Sequence, residues 1–106
     1  SVLMAHNVLL VCGSGASSGF MAVNIRKAAK KRGIDMTVTA RSEAEIPNYI
    51  DDVDTIMVGP HLKYLVDEIN EKYGDKNVNV FLMKPSYYSM LNGEAALDDL
   101  LKHLGE

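Results

Sequence analysis

The chain has 106 residues, 47% hydrophobic and 24% charged, which suits one soluble globular domain, residues 1–106, around a single core. Its formal net charge of −3 runs against nucleic acid as the main partner, since phosphate-backbone binders carry a basic surplus. The single cysteine excludes an internal disulfide and fits a reducing cytoplasm. No stretch approaches the roughly twenty apolar residues that cross a bilayer, so direct membrane insertion is not expected.

Ser1 leads the chain, and Met4 is a candidate native start. The apolar opening lacks the basic segment of a signal peptide and is interrupted by Asn7; it reads as a strand. Residues 7–11 form a short continuous apolar run, the pattern of a strand covered on both faces in a parallel sheet. Ser17 or Ser18 is expected to cap a helix running to about Arg32, with Met21, Ile25, Ala28 and Ala29 on one face and Gly33 as its stop. The basic residues Arg26, Lys27, Lys30, Lys31 and Arg32 crowd its last turns and complement the helix dipole. They form either a solvated face or a dock for an acidic partner.

Residues 34–40 alternate Ile34, Met36, Val38 and Ala40 against Asp35, Thr37 and Thr39, which suits an edge strand. Pro47 and several acids make residues 41–52 a loop with a short helix. A second buried strand, 54–58, ends at Gly59-Pro60, and a helix over about 61–72 places Leu62, Leu65, Val66 and Ile69 on one face. Residues 77–83 are the fourth strand. A loop or helical turn through Tyr87-Tyr88 follows, then a terminal helix after Gly93 with Ala96, Leu97, Leu100, Leu101 and Leu104 as its stripe. Met21, Met36, Met57, Met83 and Met90 read as core filling. The order βαβαβαβα predicts an α/β fold: an open four-stranded parallel sheet with helices on both faces. Ligands on such sheets bind at the carboxyl ends of the strands, where the loops after Val11, Val58 and Met83 gather.

Cys12 stands at that edge, between the first strand and Gly13-Ser14-Gly15-Ala16-Ser17-Ser18-Gly19. A free cysteine is commonly plain core packing, but packing alone does not call for three glycines and three serines in the next seven positions. Glycines let backbone amides approach a ligand, and serines add hydroxyl donors. Loop amides and a helix N-terminus would favour the thiolate, holding the thiol below its ordinary value of about 8.5, and would also hold a phosphoryl group on the sulfur.

The loop departs from other phosphate cradles. A dinucleotide fingerprint would need glycine or alanine at Ser18, and a P-loop needs a lysine that is absent between Cys12 and Arg26. Cysteine phosphatases place an arginine where Ser18 stands, and a low-molecular-weight tyrosine phosphatase resembling this chain would carry its general acid near Ser86. His6, His61 and His103 have no metal-ligand spacing, and neither metal nor cofactor is expected. The loop therefore suits a carrier, whose phosphocysteine must outlast the wait for its acceptor.

The stretch from Val8 to Gly19, with Val58-Gly59-Pro60-His61-Leu62-Lys63-Tyr64, resembles the lactose/cellobiose-type IIB component of the bacterial sugar phosphotransferase system. The resemblance covers nearly the whole chain in element order and implies a fold like that of the low-molecular-weight tyrosine phosphatases. It implies that Cys12 takes a phosphoryl group from a phosphohistidine of a IIA component and passes it to a saccharide on a membrane IIC component, in the cytoplasm. Residues 13–19, namely Gly13, Ser14, Gly15, Ala16, Ser17, Ser18 and Gly19, would hold the phosphoryl oxygens, and Pro60, His61 and Tyr87 are candidate rim residues. Family members often have Gln at the position of His61. The competing readings are a cysteine-dependent phosphatase or reductase, and a regulatory module that binds a phosphorylated or acidic partner without chemistry.

Overall fold

The computed structural model describes residues 5–13 and 16–105; Met4, Ser14 and Gly15 lie outside them, and the side chains of Ala16 and Ser17 are likewise not described. Among the described residues, β1 (His6–Val11), β2 (Met36–Arg41), β3 (Thr55–Val58) and β4 (Asn79–Leu82) form one parallel sheet in the order β2-β1-β3-β4. The two apolar runs, β1 and β3, are its central strands, and the alternating 34–40 segment supplies an edge. This is the open four-stranded parallel sheet that the element order predicts.

Side-chain alternation on β1 divides the core in two. Val8, Leu10 and Cys12 face a cluster with Met21, Ile25, Ala28 and Ala29 of α1 (Ala16–Lys31) and Ala96, Leu97 and Leu100 of α5 (Gly93–His103). Leu9 and Val11 face the opposite cluster, with Ile46 of the short α2 (Ile46–Tyr49) and Leu65 and Ile69 of α3 (Lys63–Tyr73). Burying a large aliphatic side chain contributes about 1.5–3 kcal/mol, so a strand buried on both faces anchors both layers. Of the methionines expected in the core, Met21, Met57 and Met83 are buried and Met36 packs against it, but Met90 is 77% exposed, because it follows the short α4 (Pro85–Tyr88) outside the packed layers.

Helix α1 ends where Gly33 adopts φ +73°, a left-handed conformation that glycine takes without Cβ strain. The Gly33 N–H donates to Lys30 O and the Ile34 N–H to Ala29 O, closing the helix and turning the chain into β2. Its start differs from expectation: α1 begins at Ala16, so Ser17 and Ser18 lie in its first turn and do not precede it as caps. Two of the basic residues at its far end are committed within the fold. Arg26 donates to Val38 O, and Arg32 bridges Glu94 and Asp98 of α5.

Candidate functional site

Parallel pairing continues past the strand ends and sets the floor of the site. The Gly59 N–H donates to Val11 O at 2.8 Å, and the Met83 N–H to Val58 O at 2.8 Å, which holds the segments after β3 and β4 alongside the residue following β1. That residue is Cys12, 2% exposed, continuing the β1 alternation into the core against α1 and α5. Four residues on, α1 begins, and the N–H groups of a helix's first turn lack intrahelical partners.

Behind Gly59 the chain turns sharply: the Leu62 N–H donates back to Gly59 O at 2.9 Å, with Pro60 and His61 at the two central positions. Proline presets the backbone for the first of these. His61 thus sits in a turn ahead of α3, and not in the helix where the sequence placed it, because α3 starts only at Lys63. Its exposed ring folds over two glycines. A Cβ on Gly13 would lie 3.3 Å from His61 Nε2, and one on Gly59 would lie 3.2 Å from His61 Cε1 and 3.4 Å from Cys12 Sγ. A side chain at either position would have to displace the His61 ring.

The fourth wall comes from α4. Pro85 occupies its first position, where a missing N–H costs nothing, and the helical phase set there turns consecutive residues about 100° apart. Tyr87 turns inward to the core and donates its hydroxyl to Asp99 Oδ2 at 2.6 Å. Tyr88, half-buried, turns to the sheet edge, donates its hydroxyl to Cys12 Sγ at 3.1 Å, and sets its ring 6.5 Å from the His61 ring at 54°. The rim position assigned to Tyr87 therefore belongs to Tyr88. The sequence offered Tyr87 as a rim candidate, but which of the adjacent tyrosines meets the sulfur depends on the helical phase, which their adjacency does not reveal.

The electrostatics also differ from expectation. Burial pushes the Cys12 thiol up from its ordinary value, and the Tyr88 hydroxyl bond pulls it back only in part. Burial, then the Asp99 bond, also pushes the Tyr87 hydroxyl upward.

Of the seven loop residues assigned to phosphate binding, Gly13 adjoins Cys12 and His61, while Ala16, Ser17, Ser18 and Gly19 form the first turn of α1. Ser14 and Gly15 fall outside the described residues. Pro60 and His61 stand together at the turn beside the sulfur. Among the described residues no group of three His, Cys, Asp or Glu side chains is placed to hold a metal ion, and no helix is long and apolar enough to cross a membrane.

A sheet of this order carries the thiol at the carboxyl end of its second strand in space, with a helix start beyond it. The profile of the family described as "PTS system, Lactose/Cellobiose specific IIB subunit" matches residues 7–99, from the second residue of β1 through Cys12 and the other three strands, and the chain belongs to that family. It is 28% identical over 100 residues to the PTS system galactose-specific EIIB component of Lactococcus lactis subsp. cremoris (strain MG1363), covering 89% of this chain and 93% of that protein. It is also 29% identical over 96 residues, 87% of this chain, to the PTS system lactose-specific EIICB component of Lacticaseibacillus casei, of which it spans only 16%. Among solved structures, the lactose-specific IIB component domain from Streptococcus pneumoniae shares the fold at a TM-score of 0.84 and 17% identity, over 94% of this chain and 98% of that one. A mutant of YwlE from Bacillus subtilis shares it at 0.64 and 15% identity, over 96% and 100%. Membership makes this chain a sugar phosphotransferase IIB component, a phosphoryl-carrier class that works with IIA and IIC components.

Proposed function

We propose that Cys12 is the residue that carries the phosphoryl group, accepting it from a phosphohistidine of a IIA component and passing it to a saccharide held by a membrane IIC component, on the cytoplasmic side. On loading, the sulfur attacks phosphorus in line, the P–N bond breaks with its electron pair leaving on the imidazole, and the thiol proton ends on that nitrogen. On unloading, a sugar hydroxyl attacks, the S–P bond breaks with its pair returning to sulfur, and the hydroxyl proton ends on the thiol. First-turn amides of α1 and the backbone of Gly13, with the hydroxyls of Ser14, Ser17 and Ser18, would hold the equatorial oxygens.

The observation that carries this reading is the position of Cys12: the chain's one thiol follows β1, beside Gly13 and Gly59, with the Tyr88 hydroxyl on its sulfur and the His61 ring over both glycines. Retention follows from what stands around it. Ser18 occupies the place of a phosphatase arginine and Ser86 the neighbourhood of its general acid, so hydrolysis lacks two of its customary groups.

Intact-mass analysis after mixing the protein with phosphorylated IIA component tests the proposal. One added phosphoryl group that is lost in Cys12→Ser is expected; an unmodified wild-type chain overturns the carrier reading. Steady turnover of an aryl phosphate ester would favour a phosphatase instead.

A further inference from the structure

The carrier reading sets a chemical demand on the sulfur. Cys12 Sγ must bear negative charge twice, as nucleophile on loading and as leaving group on unloading, yet it is 2% exposed and water is poorly placed to stabilise that charge. A hydrogen-bond donor aimed at the sulfur itself stabilises that charge directly.

We propose that Tyr88 is a catalytic residue of the phosphoryl exchange, its hydroxyl donating to Cys12 sulfur while that sulfur carries negative charge. The bond is already formed at 3.1 Å, from a half-buried side chain on α4, an element separate from the phosphate loop. Its direction is the required one, with O–H as donor and sulfur as acceptor. A hydrogen bond to an ionised acceptor is roughly twice as strong as one to a neutral acceptor. The bond is therefore weak to the thiol and to the divalent sulfur of phosphocysteine, and strong to the thiolate-like sulfur between them. A contact that strengthens only in the transition state raises the rate in both directions. Tyr88 keeps its proton throughout: the thiol proton leaves to the departing imidazole on loading and is replaced from the sugar hydroxyl on unloading.

The placement of α4 enforces this contact. Pro85 sets the helix start, the Tyr87–Asp99 bond ties the helix to α5, and the next residue is thereby turned to the sulfur. The role assigned to Tyr88 rests on Cys12 being the phosphoryl carrier, and the experiment separates the two claims.

Loading of Cys12 by phosphorylated IIA component, and back-transfer to unphosphorylated IIA component, are followed by intact mass in wild type and Tyr88→Phe. Alkylation of Cys12 by iodoacetamide is measured against pH in the same proteins. The Phe variant is expected to slow both transfers by about tenfold and to move the alkylation midpoint to higher pH, effects that a purely structural tyrosine would not produce together. Tyr88 replaced by a fluorotyrosine, a stronger donor of the same shape, is expected to move that midpoint to lower pH; this variant decides the matter if Tyr88→Phe fails to fold. Wild-type transfer rates in Tyr88→Phe, or a midpoint unmoved in both variants, overturn the role of Tyr88 and leave the carrier intact. A wild-type chain that takes no phosphoryl group overturns the carrier reading and this role with it.

Discussion

The Tyr87 hydroxyl donates to Asp99 Oδ2 at 2.6 Å, joining α4 to α5 through two polar side chains that are both buried. Asp99 also lies 3.8 Å from Lys84 Nζ and 3.7 Å from His103 Nε2, and the His103 ring stacks on Phe81. Tyr87→Phe keeps the packing but leaves the carboxylate short of its closest partner. The expected loss is about 1–3 kcal/mol, read as a lower urea midpoint with an unchanged slope. A variant as stable as wild type would show that the lysine and histidine suffice.

Burial of the Tyr87 hydroxyl, together with that bond, makes stability fall at alkaline pH. Burial and the Asp99 bond hold the Tyr87 proton in the folded state, whereas in the unfolded chain a tyrosine ionises near pH 10. The contribution is complete below that pH and is lost as pH rises toward the elevated folded value, because only the unfolded state then releases the proton. Urea titrations at about pH 9 and pH 11 are expected to show a drop in wild type that is smaller in Tyr87→Phe. Equal drops would place the effect on other tyrosines.

Two glycines on the α1 side of the sheet are expected to respond oppositely to alanine. At Gly93 a Cβ would overlap the backbone carbonyl of Asn24, so Gly93→Ala must push α5 from α1, at a cost of about 1–3 kcal/mol. At Gly19 a Cβ meets nothing within 4 Å among the described residues, and within a helix alanine is favoured over glycine by about 1 kcal/mol. Thermal unfolding of the two variants checks both signs.

Gly59→Ala separates function from stability. The new methyl would lie 3.2 Å from His61 Cε1, so that the exposed ring must move aside, and would touch Cys12 Sγ at 3.4 Å. The protein is expected to fold, with loading of Cys12 slowed roughly tenfold by the misplaced neighbours. Wild-type loading kinetics would show that the open flank at Gly59 is not needed.

Much of this was legible in the chain itself. The apolar runs of β1 and β3 read as buried strands, the mixed faces of residues 34–40 marked an edge, and the loop composition singled out Cys12. What escaped were relationships between elements. Whether Tyr87 or Tyr88 faces the sulfur depends on where α4 begins, a matter of one residue. Whether His61 lies in a helix or ahead of it depends on the Gly59–Leu62 turn. The direction in which the Cys12 thiol is displaced depends on how completely α1, α4 and α5 close over it, and loop composition reports the donors without the desolvation.

Strand β1 counts residues by parity. Val8, Leu10 and Cys12 fall on one side of the sheet because they differ by two, and Tyr88 waits on that side. Inserting or deleting a single residue between Val8 and Cys12 would keep an apolar strand and an intact loop, yet send the sulfur toward the α3 layer, away from its phenol. In such a frame-shifted strand every residue of the site would survive in the sequence, and the site itself would be gone.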